Sequence, residues 1–211
     1  MQTRIFKTSE VTAEELEKAV NAIEKGALAV LPTDTVYGVG TGAFCEESIL
    51  KIYQLKQRPT DTPFQILTGS VEQAREVACF SEQAEKCAQH FWPGALTMIM
   101  PPKEKGRALT RGFEGLGIRV PKNDFLVKLL NRLAGPMACT SANVHGQPTL
   151  LDEKNILETF NGKVDFIFLG GTLSPVASSV INLMGTPTLI REGGIPREKL
   201  EQVLGQPLRV L

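Results

Sequence analysis

The sequence contains no long apolar run and little histidine. No apolar stretch approaches the roughly 18 residues that a membrane-spanning helix needs. The amino-terminal MQTRIFKTSE has no apolar core of the kind found in a secretory signal peptide. We therefore expect a cytoplasmic protein with no membrane partner. With two histidines among 211 residues and no CxxC spacing, we expect no metal site built from the chain's own ligands.

The four cysteines are also spaced too far apart to form a recognisable motif. They are Cys45, Cys79, Cys87 and Cys139, each in an apolar or helical stretch. Buried free thiols in a reducing compartment are the expectation. Charge is balanced, with 23 basic and 23 acidic residues, so no overall field attracts nucleic acid or an anionic membrane. Any such binding has to come from a local patch.

The composition and the order of the patterns indicate an α/β fold. The chain is 42% hydrophobic and 22% charged, as in globular domains, and its length fits a single domain over residues 1–211. Helical and extended patterns alternate along it. A mixed sheet is expected because the later strands follow one another without helices between them. Strands are predicted at 27–31, 64–67, 95–100, 116–120, 137–140, 165–169, 178–184 and 188–191.

Local signals place the helices. Thr12 and Glu15 form a capping box, and Gly26 ends the helix that follows. Ser70 with Gln73 opens another helix, and Asp124 is expected to cap a third that Gly135-Pro136 closes. The remaining helices are predicted near 49–56, at 81–91 and from Pro196 onward.

Several catalytic motifs are missing. The sequence has no GxxxxGK[ST], no HExxH and no GxSxG. The run from Gly38 to Gly42, GVGTG, lacks the third glycine of a dinucleotide fingerprint, so we interpret it as a tight turn with close backbone packing. A nucleophilic pair of Ser141 and His145 is disfavoured, because a loop containing glycine gives the two side chains no defined geometry and no acid partner is evident.

Three short polar segments are candidates for a site. PTDTVYG (32–38) leaves the end of a predicted buried strand with two hydroxyls, a carboxylate and a phenol. KQRP (56–59) places two cations at a helix end, where they can converge on one anion. TSAN (140–143) supplies small polar groups after another strand. The alternatives are a capped turn for the first segment and helix-dipole cations for the second.

Three further features involve charge. Arg119 lies within an apolar strand, so its charge needs a buried partner or a ligand carboxylate. Arg191 ends a strand in the same way. The segment from Lys103 to Arg111 holds four cations and one acid, and we interpret it as a solvated loop, with a phosphate contact as the alternative.

Taken together, the segments carry a resemblance to a known family. In order, PTDTVYGVG, LKQRP, FWPGALT, GIRVP, TSAN, SSVINL and LIREG resemble the YrdC/TsaC family of threonylcarbamoyl-AMP synthases. The match covers about residues 10–195 and looks like the short stand-alone form. The resemblance implies a twisted open mixed sheet with flanking helices around a positively charged cavity, similar to an α/β fold that binds double-stranded RNA.

The resemblance also implies a reaction. Family members condense L-threonine, bicarbonate (or carbon dioxide) and ATP into threonylcarbamoyl-AMP and pyrophosphate, with Mg²⁺ on the phosphates. The product passes to a tRNA threonylcarbamoyltransferase complex, and binding of tRNA or double-stranded RNA is described for the family. Both reactants of the adenylation step are anions, so such a site needs cations and hydroxyls more than a histidine base.

Roles for residues follow from the same resemblance. The expected triphosphate ligands are Lys56, Arg58 and Arg191, of which the first two are the catalytic pair. The nucleotide is expected to contact Ser141, Asn143, Thr62 and Thr149, and the amino acid to contact Thr35, Tyr37, Arg119 and Ser178. Leu67 departs from the pattern, because longer family members carry a histidine there near the amino acid.

Two other functions stay open. A related group, of the YciO type, has the same fold and is expected to bind RNA or assist ribosome assembly without catalysis. The intact Lys56, Arg58, Ser141 and Asn143 disfavour it. A carbamoyl-adenylate-forming module of hydrogenase maturation proteins is the other, but that module lies inside much larger chains.

Overall fold

The computed structural model describes residues 2–144 and 146–211, and its centre is one eleven-stranded sheet. The strands, in chain order, are β1 (Arg4–Lys7), β2 (Ala29–Leu31), β3 (Gly38–Gly42), β4 (Gln65–Leu67), β5 (Leu96–Met100), β6 (Leu116–Arg119), β7 (Met137–Ser141), β8 (Phe166–Leu169), β9 (Ser179–Asn182), β10 (Thr188–Arg191) and β11 (Arg209–Val210). Their spatial order is β1-β8-β2-β3-β7-β4-β6-β5-β9-β10-β11. Parallel and antiparallel pairs alternate irregularly, so the predicted mixed α/β sheet is confirmed.

Seven α-helices flank the sheet in the described part of the chain. They are α1 (Ala13–Glu24), α2 (Glu46–Lys56), α3 (Val71–Val77), α4 (Glu82–Phe91), α5 (Asp124–Leu130), α6 (Glu153–Phe160) and α7 (Arg197–Leu204). Side-chain caps fix several starting points: Thr12 forms the full capping box with Glu15, and Ser70 accepts from the backbone N–H of Gln73. These local signals were readable because a cap involves residues three positions apart.

The helices lie on both faces of the sheet. Strand residues alternate between faces, so Met137 and Cys139 of β7 pack with α1 and α5, while Ala138 between them faces the cluster that includes residues of α2 and α6. The face that carries α1 and α5 has polar side chains on the neighbouring strands, including Gln65 of β4 and Arg119 of β6. The cavity described below opens over that polar half of the face.

The glycine run GVGTG is a strand, not the predicted turn. It forms β3 and pairs antiparallel with β2 and β7. A Cβ on Gly40 would lie 2.7 Å from the carbonyl oxygen of Ala138, and one on Gly38 would lie 2.5 Å from the sulfur of Cys139. The glycines therefore serve close strand packing, as expected, but within a buried sheet.

Other elements also differ from prediction. Helix α5 is capped by Asn123, whose side chain accepts from the N–H of Leu126, and it ends at Leu130 before Gly135-Pro136. The segment interpreted as a solvated loop contains a 3-10 helix, Glu104–Thr110, pinned by a 2.5 Å ion pair between Lys105 and Glu76. The short strands β1 and β11 and helix α6 were not predicted.

The four cysteines differ in how deeply they are buried. All four cysteines are free, but Cys79 is exposed, contrary to the expectation of four buried thiols. Burial raises the pKa of Cys139 to about 12, so this thiol stays protonated. Within the described ranges, no helix is both long enough and apolar enough to cross a membrane.

Candidate active site

All of the predicted site residues line one cavity of about 690 Å³. Strands from the centre of the sheet form its floor, and the segments 33–38, 58–64, 140–144 and 146–149 form one side. The cavity brings together Thr35, Tyr37, Lys56, Arg58, Thr62, Arg119, Ser141, Asn143, Thr149, Ser178 and Arg191. A volume of this size is typical of a small-molecule site. The proposed identity of each subsite remains a prediction.

Lys56 joins two of the predicted segments. Its ammonium group donates to the backbone carbonyl of Ser141 and, at 3.0 Å, to Oδ1 of Asn143. The Ser141 hydroxyl donates to the same Asn143 oxygen at 2.6 Å, and Nδ2 of Asn143 donates to the Gln147 carbonyl at 2.7 Å. The helix end and the TSAN loop thus form one hydrogen-bonded wall, which neither segment alone predicts.

The backbone at Gln57 explains how two cations two residues apart reach the same cavity. Gln57 follows the last residue of α2 in the left-handed conformation, with φ 51° and ψ 40°. This residue turns the chain out of helical geometry, so Lys56 and Arg58 no longer point to opposite sides. Lys56 is 3% exposed, and burial together with the nearby Arg58 charge lowers its pKa to about 8.

Arg58 is held by its own contacts. Nη1 donates to Oγ1 of Thr140 at 2.7 Å, and Nη2 donates to the Pro63 carbonyl at 2.9 Å. The guanidinium lies 5.5 Å from the ring centroid of Phe64, a cation–π contact. Burial lowers the pKa of Arg58, but an arginine with this environment stays charged at neutral pH. The group therefore presents a fixed positive charge to the cavity.

Arg119 has a counter-ion within the protein, the first of the two possibilities that its position in an apolar strand left open. Nη2 donates to Asp34 at 2.6 Å, Nη1 to Oγ1 of Thr35 at 3.0 Å and Nε to the Gly94 carbonyl at 2.9 Å. The two side chains of the ion pair are 3% and 14% exposed. Of the five N–H groups of the guanidinium, these bonds use three, so two remain for a ligand.

Arg191 and Ser178 face each other on the far side of the cavity. Nη2 and Nε of Arg191 donate to the Ser178 carbonyl at 2.8 and 3.1 Å. The Ser178 hydroxyl is 2.9 Å from Oγ1 of Thr97, which also accepts from the amide of Gln65. This chain of polar contacts crosses from β9 to β4 along the cavity floor.

Tyr37 lines the cavity with a hydroxyl that is already engaged. It donates to the Gly171 carbonyl at 2.8 Å and accepts from the Gly170 N–H at 2.9 Å. Burial raises the pKa of the phenol, so it stays protonated. Tyr37 therefore ties the loop at 33–38 to the loop that leads to Ser178.

Leu67 lies beside the cavity but is not part of its lining. It pairs with Arg119 of β6 and Met137 of β7, and it is buried in the apolar cluster under α5. His145 lies outside the described residues.

Cavity residues not singled out from the sequence include Thr33, Thr140, Gln65, Thr97, Phe113 and Glu114. Thr33, Thr140 and Thr97 lay inside motifs already noted, and Gln65 lay in a predicted strand; Phe113 and Glu114 come from a loop with no local signal.

The cavity lining contains four basic side chains and one carboxylate, that of Glu114. Among residues 2–144 and 146–211, no group of three or more His, Cys, Asp or Glu side chains is placed to hold a metal ion. The described residues therefore do not fit a metal centre borne by the protein. Mg²⁺ bound mainly through a substrate's phosphates would not require such a group.

The sequence was compared with protein-family models and with individual proteins, and the two comparisons agree. A family model named for Sua5, YciO and YrdC, and described as "Telomere recombination", matches residues 21–193. A Pyrococcus abyssi protein named threonylcarbamoyl-AMP synthase is 38% identical over 192 residues, covering 89% of this chain and 56% of the relative. The chain therefore spans somewhat more than half the length of that relative.

Solved structures share the fold. The crystal structure of P. abyssi Sua5 complexed with L-threonine superposes with a TM-score of 0.91 at 35% identity, covering 99% of this chain and 63% of that one. The crystal structure of Escherichia coli YciO gives a TM-score of 0.85 at 25% identity, covering 94% of this chain and 100% of that one. The family match spans most of the chain, and these relatives agree with it: the chain belongs to the Sua5–YciO–YrdC family.

Proposed function

We propose that this protein is a threonylcarbamoyl-AMP synthase that condenses L-threonine, bicarbonate and ATP and releases pyrophosphate. The observation that carries the proposal is the wall in which Lys56 bonds to the TSAN loop, with Arg58 beside it and Arg119 and Arg191 in the same cavity. The name of the P. abyssi relative and the threonine complex of the P. abyssi structure support it.

The cavity suits the charges of this reaction. A carbamate oxygen attacks the α-phosphorus of ATP, so two anions must approach each other. Lys56, Arg58 and Arg191 would hold the triphosphate, while Ser141, Asn143, Thr62 and Thr149 would position the nucleotide. Fixed cations stabilise the charge that accumulates on the phosphoryl oxygens.

The amino acid is assigned to the adjoining part of the same cavity, around Arg119. The two unused N–H groups of Arg119 would bind the threonine carboxylate, flanked by Thr35, Tyr37 and Ser178. Arg119→Lys should weaken threonine binding by roughly 1.5–3 kcal/mol, the scale of a hydrogen bond to a charged group. Calorimetric titration should find ATP affinity within about twofold of wild type; a large loss of ATP affinity with threonine binding intact would move Arg119 to the phosphate side.

The second candidate is RNA binding without catalysis, as expected of a YciO-type protein, and the structural likeness to YciO favours it. We rank it lower because Lys56, Arg58, Ser141 and Asn143 are all present and in mutual contact or adjacent in the cavity. Transfer of the product to a tRNA-modifying complex, binding of tRNA and use of Mg²⁺ on the phosphates belong to the synthase proposal. The free thiols suit a cytoplasmic location.

Pyrophosphate release tests the proposal directly. The purified protein is incubated with ATP, bicarbonate and Mg²⁺, with and without threonine. The synthase predicts release only when all the substrates are present. Release that does not depend on threonine would contradict the synthase proposal, and no release from a protein that binds RNA tightly would favour the second candidate.

A further inference from the structure

Two buried cations in the cavity, Arg119 and Lys56, differ in whether a carboxylate lies beside them. Arg119 is 2% exposed and has the Asp34 carboxylate at 2.6 Å. Lys56 is 3% exposed, and in the part of the chain that the structure describes it has no carboxylate within ion-pair distance. Its hydrogen-bond partners are two neutral oxygens, those of the Ser141 carbonyl and the Asn143 amide.

The two oxygens that accept from Lys56 are as many as the N–H donors of a neutral amine. A protonated lysine has three N–H donors, whereas a neutral one has two donors and a lone pair. With the Ser141 and Asn143 oxygens accepting two hydrogens, the remaining tetrahedral position of Nζ holds either a third hydrogen or the lone pair. Lys56 is part of the cavity lining, so this position is available to a ligand there.

The surroundings of Lys56 lower its pKa. Burial is the larger cause, and Arg58, two residues on, repels the ammonium charge, so the pKa of Lys56 falls to about 8. Lysine, unlike arginine, can then exchange its proton near neutral pH.

We propose that Lys56 is the proton acceptor that converts the ammonium group of the bound amino acid into the attacking amine. The inference rests on the proposed function and adds a step to it. An N–H bond of the ammonium breaks, and its proton moves to the lone pair of Nζ. The amine then forms a C–N bond with bicarbonate, the C–OH bond breaks, and one more N–H bond of the amine breaks to give its proton to the departing hydroxide, which leaves as water and yields the carbamate.

This proton transfer also places a positive charge on Lys56 just before the carbamate attacks ATP. Lys56 becomes cationic as the carbamate becomes anionic, beside Arg58. The carbamate oxygen bonds to the α-phosphorus of ATP, the bond from that phosphorus to the bridging oxygen breaks, and pyrophosphate leaves. Lys56 then loses its proton to solvent and returns to the neutral form.

Two substitutions of Lys56 test the proposal: arginine keeps the charge but holds its proton, and alanine removes the charge and the proton acceptor together. Lys56→Arg and Lys56→Ala are compared with Lys51→Ala, which removes an exposed lysine from the same helix. Threonine-dependent pyrophosphate release should fall by about 100-fold or more in both Lys56 variants, the scale of a lost general base. ATP affinity of Lys56→Arg, from calorimetry, should stay within about twofold, because arginine presents to the triphosphate the same positive charge as the protonated form of Lys56. Lys51→Ala should behave like wild type, and melting temperatures identify any variant that fails to fold.

Small-molecule rescue separates a proton role from a charge role. Methylamine added to Lys56→Ala should restore release at least about tenfold, whereas guanidinium at an equal, non-denaturing concentration should not, because it holds its proton. Equal rescue by both ions, or a Lys56→Arg variant within about tenfold of wild type, would show that Lys56 acts only through its charge and would overturn the proposal. A wild-type protein with no threonine-dependent release would overturn the proposed function as well, so the two failures are distinguishable.

Discussion

The guanidinium of Arg119 and the carboxylate of Asp34 form an ion pair at 2.6 Å, although 85 residues separate them in the chain. Asp34 lies in the loop after β2 and Arg119 ends β6, so the pair joins the two sides of the cavity floor. A buried pair of this kind contributes little net stability, but breaking it leaves an uncompensated charge. The contact therefore fixes the geometry around the proposed amino-acid subsite.

Asp34→Asn should destabilise the protein by about 3–5 kcal/mol, because Arg119 would remain buried without its counter-ion. Urea denaturation monitored by circular dichroism measures the change. Glu14→Gln is a matched control, since it removes an exposed partner of Lys18 at the same 2.6 Å distance. This control should change the free energy of unfolding by less than about 1 kcal/mol. Similar values for the two variants would mean that the buried pair is dispensable.

Arg58→Ala should lower kcat/KM for pyrophosphate release by the equivalent of about 2–4 kcal/mol, the scale of a lost charge-stabilising donor. The structure adds a stability effect that the helix-end position alone did not predict. Loss of the Thr140 and Pro63 hydrogen bonds and of the Phe64 contact should reduce the free energy of unfolding by about 1–2 kcal/mol. Near-normal turnover with only a lower melting temperature would assign Arg58 a structural role.

Lys56 should make stability depend on pH in a defined direction. Its pKa is lowered from 10.5 to about 8 on folding, so between these values the unfolded chain binds a proton that the folded protein does not. The free energy of unfolding should therefore rise with pH across that window. Relative to Lys56→Met, wild type should gain about 2 kcal/mol between pH 7 and pH 9.5, from denaturation curves at both values. A difference that stays constant would mean that Lys56 keeps an ordinary pKa.

Tyr37→Phe should loosen the loop that leads to Ser178. The variant leaves the Gly170 N–H without its acceptor and the Gly171 carbonyl without its donor. We expect a loss of about 1–3 kcal/mol in stability and faster hydrogen exchange at Gly170. The N–H of Ala84, capped by Ser81 on α4, serves as an internal reference and should exchange as before. Unchanged exchange at Gly170 would show that other contacts hold the loop.

The sequence by itself determined the local elements and the residue types of the site. The helix starts at Thr12 and Ser70 were correct because a cap and its partner lie within one turn. The apolar run at 27–31 predicted the buried strand β2, observed at Ala29–Leu31, because burial on both faces leaves a continuous apolar pattern. The short edge strands β1 and β11 carry no such pattern, because most of their residues are exposed.

Tertiary structure decided what no local pattern contains. The run Gly38–Gly42 became a strand because β2 and β7 accept its backbone bonds and leave no room for side chains at Gly38 and Gly40. The choice between a ligand and a protein partner for Arg119 depended on Asp34, and the lowered pKa of Lys56 depended on its burial in the assembled cavity and on the nearby Arg58 charge. Such contacts arise from strand order, which is set by packing of the whole sheet; the sequence therefore supplied the reactive groups, and the fold determined their counter-ions and protonation.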